Sequence, residues 1–137
     1  MEAIWQSVVA GAPVLLLHVA VALAILIVGS ILYIWMTPWE DIKLAREGNT
    51  AAATALGGIF LGLAIPLAAC LAASVNVWDI VLWGVFTVIL QMITFWVIDF
   101  IMRGLPQRIK DGQVGAAVVL SAAKLSVAVI VAAAVAG

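Results

Sequence analysis

The chain has 137 residues, 67% of them hydrophobic and 9% charged, whereas an average soluble domain is about 45–50% apolar and about 25% charged. With a mean hydropathy of +1.31, this balance excludes a water-soluble globular domain and describes one all-α integral membrane domain over residues 1–137. Six Lys+Arg against seven Asp+Glu, with no basic run, exclude nucleic acid as a partner. A single cysteine, Cys70, can form neither an intrachain disulfide nor a thiolate metal cluster.

The N-terminus comes first. Ile4, Trp5, Val8 and Val9 recur at helical spacing, which suits a short amphipathic helix at the interface or, alternatively, a frayed end. The first apolar segment, residues 12–36, is preceded by Glu2 and no Lys or Arg and is too long for a signal h-region, so it is expected to stay in the mature protein. Three more segments follow at 51–75, 77–102 and 114–136. Each exceeds the ~20 helical residues that cross a bilayer core about 30 Å thick.

The first connection carries a capping-box pattern, Thr37-Pro38-Trp39-Glu40, and a stop at Gly48. It predicts a short helix along the cytoplasmic interface, with Trp35 and Trp39 at headgroup depth. The third connection repeats the device, from Pro106 to Gly112. Lys43, Arg46, Arg103, Arg108 and Lys110 all lie in these two connections. By the positive-inside rule both connections face the cytoplasm and both termini lie outside it.

An internal repeat accompanies this pattern. Arg46-Glu47-Gly48-Asn49 aligns with Lys110-Asp111-Gly112-Gln113 at an offset of 64 residues, followed by Ala52 with Ala116, Leu56 with Leu120 and Ala64 with Ala128. The chain therefore reads as two duplicated helical hairpins, residues 1–75 and 76–137, of like orientation.

A further set of residues carries a family likeness. Thr37-Pro38, Glu40, Asn49-Thr50-Ala51-Ala52, Gly58, Leu61-Gly62, Ile65-Pro66-Leu67, Ser74, Asp79, Trp83-Gly84 and Gln91 resemble, in that order, the YjfL-like family of small bacterial inner-membrane proteins. The resemblance covers about Thr37 to Ala117. It departs at the C-terminus, where Ala132-Ala133-Ala134-Val135-Ala136-Gly137 stands in place of a tail containing Gly, Asn and Cys. It implies a four-span plasma-membrane protein encoded near envelope-stress components similar to phage-shock proteins, and it supplies no catalytic chemistry.

Candidate functional residues fall into two groups. Thr54, Gly58, Gly62 and Pro66 recur every fourth position, continuing through Cys70 to Ser74, and form a small-residue stripe for helix packing or a homo-oligomer face. Pro66 should leave the carbonyl around Gly62 without its helical donor. The second group is a polar seam. Lys124 lies ~15 Å into the fourth span, near the depth of Gln91, with Thr87 and Ser121 beside them and Asp99 as the anion a bent lysine could approach. A lysine at mid-bilayer costs about 2.5–3.5 kcal/mol on insertion scales and should face protein or water.

His18, the single histidine, reads better as a hydrogen-bonded structural residue than as a metal or haem ligand. Asp79 can cap the third span. No triad, phosphate loop or catalytic carboxylate pair is visible, and no cofactor is expected. Two functions compete: a self-associating protein tied to envelope stress, presenting its cytoplasmic helix to a peripheral partner, and an oligomeric channel or transporter for small ions built on the Lys124–Gln91 seam. Lipid is the surrounding medium in both.

Overall fold

A computed structural model describes residues 1–37, 41–73 and 76–137. The elements are α1 (Glu2–Met36), α2 (Asp41–Arg46), α3 (Thr50–Ala73), α4 (Val77–Met102), α5 (Leu105–Lys110) and α6 (Val114–Ala136). Four of them, α1, α3, α4 and α6, are long and apolar enough to cross a membrane. They alternate in direction, so α2 and α5 sit at the same end of the bundle.

The N-terminal residues form neither a separate surface helix nor a frayed end. The 35 residues of α1 run unbroken through Pro13, a length of ~52 Å at ~1.5 Å per residue, well beyond a bilayer core. Proline is tolerated there because it removes one helical donor without ending the run. His18 Nδ1 lies 2.7 Å from the Val14 carbonyl, a local bond within the same helix.

Pro38, Trp39 and Glu40 lie outside the described residues, and with them most of the capping box. Thr37 closes α1 through its backbone N–H to the Tyr33 carbonyl. At the third span the cap is Asn76, whose side chain accepts the Asp79 N–H at 3.1 Å. Asp79 itself sits in the first turn, where a carboxylate favours the helix dipole.

The two short helices end alike. Asn49 N–H bonds the Leu44 carbonyl and Gly48 N–H the Ala45 carbonyl, while 64 positions on Gln113 N–H bonds Arg108 and Gly112 N–H bonds Ile109. Both are Schellman endings, with Gly48 at φ +90 and Gly112 at φ +79, a left-handed conformation in which a Cβ would be strained.

The most extensive helix pairing joins α3 to α6. Small residues make it possible, because in lipid the attraction between helices is close packing rather than exclusion of water. Ala51, Ala52 and Ala55 on α3 and Ala116 and Ala117 on α6 are buried in one core at the short-helix end, together with Tyr33, Phe95, Leu105 and Ile109. Toward the opposite end the interior is a smaller apolar cluster of Ala22, Leu67 and Ile80.

Candidate functional site

Lys124 is 1% exposed. Its ammonium lies over the Tyr33 ring, 3.6 Å from the centroid, and Tyr33 stacks edge-on against Phe95 with centroids 6.2 Å apart. A desolvated cation over an aromatic face gains about 2 kcal/mol. Yet Lys124 Nζ makes no hydrogen bond, and neither do Tyr33 Oη, Ser30 Oγ, Asp41 Oδ1 and Gln91 Oε1, all buried. These polar atoms come from α1, α2, α4 and α6, and they belong to the half of the bundle nearer α2 and α5.

The anion acting on Lys124 is Asp41, where the sequence reading put Asp99. Asp99 is committed elsewhere: its Oδ1 accepts the Leu105 N–H at 3.1 Å and so pins α5 to the end of α4. Asp41 looks like one more loop charge in the sequence, but α2 folds against α3 and leaves it fully buried. Burial pushes its carboxyl well above the usual carboxylate range, while the Lys124 charge and the Thr37 hydroxyl pull the other way. Thr37 Oγ1 lies 2.8 Å from the Ile34 carbonyl and 3.4 Å from Asp41 Oδ2. With its proton on the nearer carbonyl, it can accept a bond from the acid form of Asp41.

Gln91 joins three helices. Its Nε2 donates to the Gly62 carbonyl at 3.0 Å and to the Lys124 carbonyl at 3.1 Å. Pro66 lacks the N–H that would normally bond the residue four positions back, which is Gly62. Pro66 thus frees the carbonyl on which the α4 amide anchors. Gly62 has no side chain to obstruct that approach, since a Cβ there would stand 3.2 Å from Gln91 Nε2.

The other seam residues are placed differently. Thr87 is buried but bonds its own helix at the Trp83 carbonyl, 2.8 Å away. Ser121 bonds across to the Thr54 carbonyl at 2.9 Å and lies directly against Gly58, where an added Cβ would come within 3.0 Å of the Ser121 Cα. The stripe of Thr54, Gly58, Gly62 and Pro66 therefore meets α6 and α4 inside the chain's own bundle. Gly58 and Gly62 take the packing role of the two that the stripe offered, and are not free to meet a second copy.

Two of the loop residues also take places. Asn49 Oδ1 accepts the Ala52 N–H at 3.0 Å, and its Nδ2 donates to the Ile109 and Lys110 carbonyls at 3.0 and 3.2 Å. One side chain therefore caps the start of α3 and ties it to the end of α5. Thr50 opens α3 and accepts the Thr54 hydroxyl at 2.8 Å.

Sequence reasoning missed Ser30, Tyr33 and Asp41. The first two, with Thr37, follow i, i+3, i+7 spacing along the end of α1, an inward polar stripe that was available to be read. Among the described residues no group of three His, Cys, Asp or Glu side chains gathers to hold a metal.

The fold and this interior define a multi-pass membrane protein with a polar centre in one half of its bundle. The chain belongs to the family described as Domain of Unknown Function (DUF350), whose model matches residues 6–135. It is 27% identical over 106 residues to the UPF0719 inner membrane protein YjfL of Escherichia coli (strain K12), covering 77% of this chain and 80% of that protein. The same figures hold for the YjfL of Escherichia coli O157:H7. No solved structure matches the chain.

Proposed function

We propose that this is a non-enzymatic inner-membrane protein that handles a small ion at the centre formed by Lys124, Tyr33 and Asp41. The observation that carries the reading is the Lys124 ammonium, buried and without a hydrogen-bond partner. An ionisable residue inside a membrane is costly and marks ion or proton pathways. A structural role alone would be served by a leucine or methionine at lower cost. The polar centre lies toward the short-helix end, and the Ala22, Leu67 and Ile80 cluster closes the other half. Lys124 and Asp41 are themselves closed off, at 1% and 0% exposure, so both access to the centre and transfer across the bilayer call for a second state or a second subunit.

The finer architecture follows the same reasoning. The matched Schellman endings 64 residues apart support two duplicated hairpins. The exposed Lys110 and Arg46 support α2 and α5 as cytoplasmic interfacial helices, with both termini outside the cytoplasm. A cysteine placed at Gly137 should react with an impermeant reagent from outside the cell; reaction only from the cytoplasm would reverse the topology.

A second reading, a self-associating protein serving envelope stress through a peripheral partner, is favoured by α1, whose Leu15, Leu16, Ile27 and Ile31 face outward and leave helix surface for a second copy. Its envelope-stress part follows from the family resemblance. Reconstitution into liposomes tests the first reading: wild type should dissipate an imposed ion or proton gradient, and a folded Lys124→Met variant should not. Equal leak from both, or none from wild type, would overturn it.

A further inference from the structure

The unpartnered buried atoms in this half of the bundle offer more donor hydrogens than oxygens that can only accept. The Lys124 ammonium has three N–H donors and uses none in a hydrogen bond, and the hydroxyls of Tyr33 and Ser30, which can donate or accept, are also unpaired; Asp41 and Gln91 add one acceptor-only oxygen each. A metal cation needs oxygen acceptors and would be repelled by the ammonium. An anion needs the donors that are present.

Charge sharpens the choice. In a low-dielectric interior the centre must stay near neutrality. Among the described residues the titratable groups facing it are Tyr33 from α1, Asp41 from α2 and Lys124 itself from α6. α4 faces it with the neutral Gln91, and α3 with no charged side chain at all. Ionised Lys124 and Asp41 cancel. If Asp41 takes a proton, a bond that Thr37 Oγ1 can accept, the ammonium is left without a counter-charge.

We propose that the Lys124 ammonium binds a small monovalent inorganic anion, taken up together with a proton that settles on the Asp41 carboxylate. The proton comes from the solvent at the short-helix end and forms an O–H bond on Asp41. The anion replaces the carboxylate as partner to the ammonium, and the centre has the same net charge before and after. This names the ion for the transport reading above and rests on it for its use, though not for the site itself.

Chloride is the probe. Full-length protein labelled with 15N-lysine has three Nζ sites, Lys43, Lys110 and Lys124, and Lys43→Arg and Lys110→Arg assign the third by difference. Adding chloride should shift the Lys124 Nζ resonance saturably, with affinity about tenfold or more tighter near pH ~5.5 than near pH ~8, because each anion brings one proton. Gluconate, too large to enter, should leave the resonance unmoved, and Asp41→Asn should bind chloride with the pH dependence lost. Absence of a saturable shift at both pH values, or an equal response to gluconate, would overturn the site. In liposomes, gradient dissipation by K⁺ or protons without chloride dependence would overturn the anion and leave ion handling standing. A saturable shift without any flux would uphold the site and overturn transport.

Discussion

The amide of Gln91 donates to the carbonyl of Gly62 at 3.0 Å, and that carbonyl is free because Pro66 has no N–H to offer it. The two residues make a helix defect and its repair, in a medium where an unsatisfied backbone group has no water to turn to. Gln91→Leu should therefore cost about 1–3 kcal/mol of stability. In a Pro66→Ala background the same change should cost less, since alanine restores the helical donor. Unfolding in mixed micelles measures both, and equal costs in the two backgrounds would separate Gln91 from the proline.

Gly58 is a packing position inside the bundle. An added Cβ would stand 2.9 Å from the Ser121 Cβ and 3.0 Å from its Cα, so moving the side chain alone gives no relief. Gly58→Ala should destabilise by about 1–3 kcal/mol, and Ser121→Gly in the same chain should recover part of that loss. Thermal unfolding in detergent checks it. An unchanged midpoint for Gly58→Ala would mean that α3 and α6 pack more loosely than described.

Much of the fold could be read from the sequence because hydrocarbon imposes its own length. The third and fourth spans, Val77–Met102 and Val114–Ala136, coincide with their apolar runs. The start of α1 does not, since hydropathy marks where a helix is buried in lipid and not where its hydrogen bonding begins. Lys124 and Gln91 stand out because polarity in the middle of an apolar run is conspicuous. Asp41 and Tyr33 do not: one hides among loop charges until α2 folds against α3, and the other passes for an interfacial aromatic. A stripe of small residues is equally legible whether its partner is α6 or another copy, and three-dimensional packing alone decides between them.

Asn49 holds the two short-helix connections together. Asn49→Ala removes the α3 cap and both bonds to the end of α5 and should cost about 1–2 kcal/mol. Asn49→Asp should keep the cap and lose only the link. Hydrogen exchange of the Gly112 and Gln113 amides, which close the end of α5, should quicken in both variants. Exchange that changes in neither would rule the link out.

Stability should also depend on pH through Asp41. Burial raises its folded-state pKa above the ordinary value of 3.8, so the folded protein binds the proton more tightly than the unfolded chain. The sign follows: this contribution is fully present below the ordinary value and is lost as pH rises through the raised one. Unfolding midpoints should fall across that window, and Asp41→Asn should flatten the fall. Lys124→Met, which removes the charge that pulls the carboxyl back down, should shift the fall to higher pH.

A double-mutant cycle between Lys124 and Asp41 tests most directly whether they act as one charge-coupled centre. Unfolding free energies are needed for wild type, Lys124→Met, Asp41→Asn and the double variant. Above the raised Asp41 value, Lys124→Met should be strongly destabilising, approaching the about 3–5 kcal/mol expected when a buried charge loses its partner, and adding Asp41→Asn, which removes the carboxylate left behind, should recover most of that loss. Costs that simply add would contradict the account, because Lys124 would then be buried for reasons that have nothing to do with Asp41.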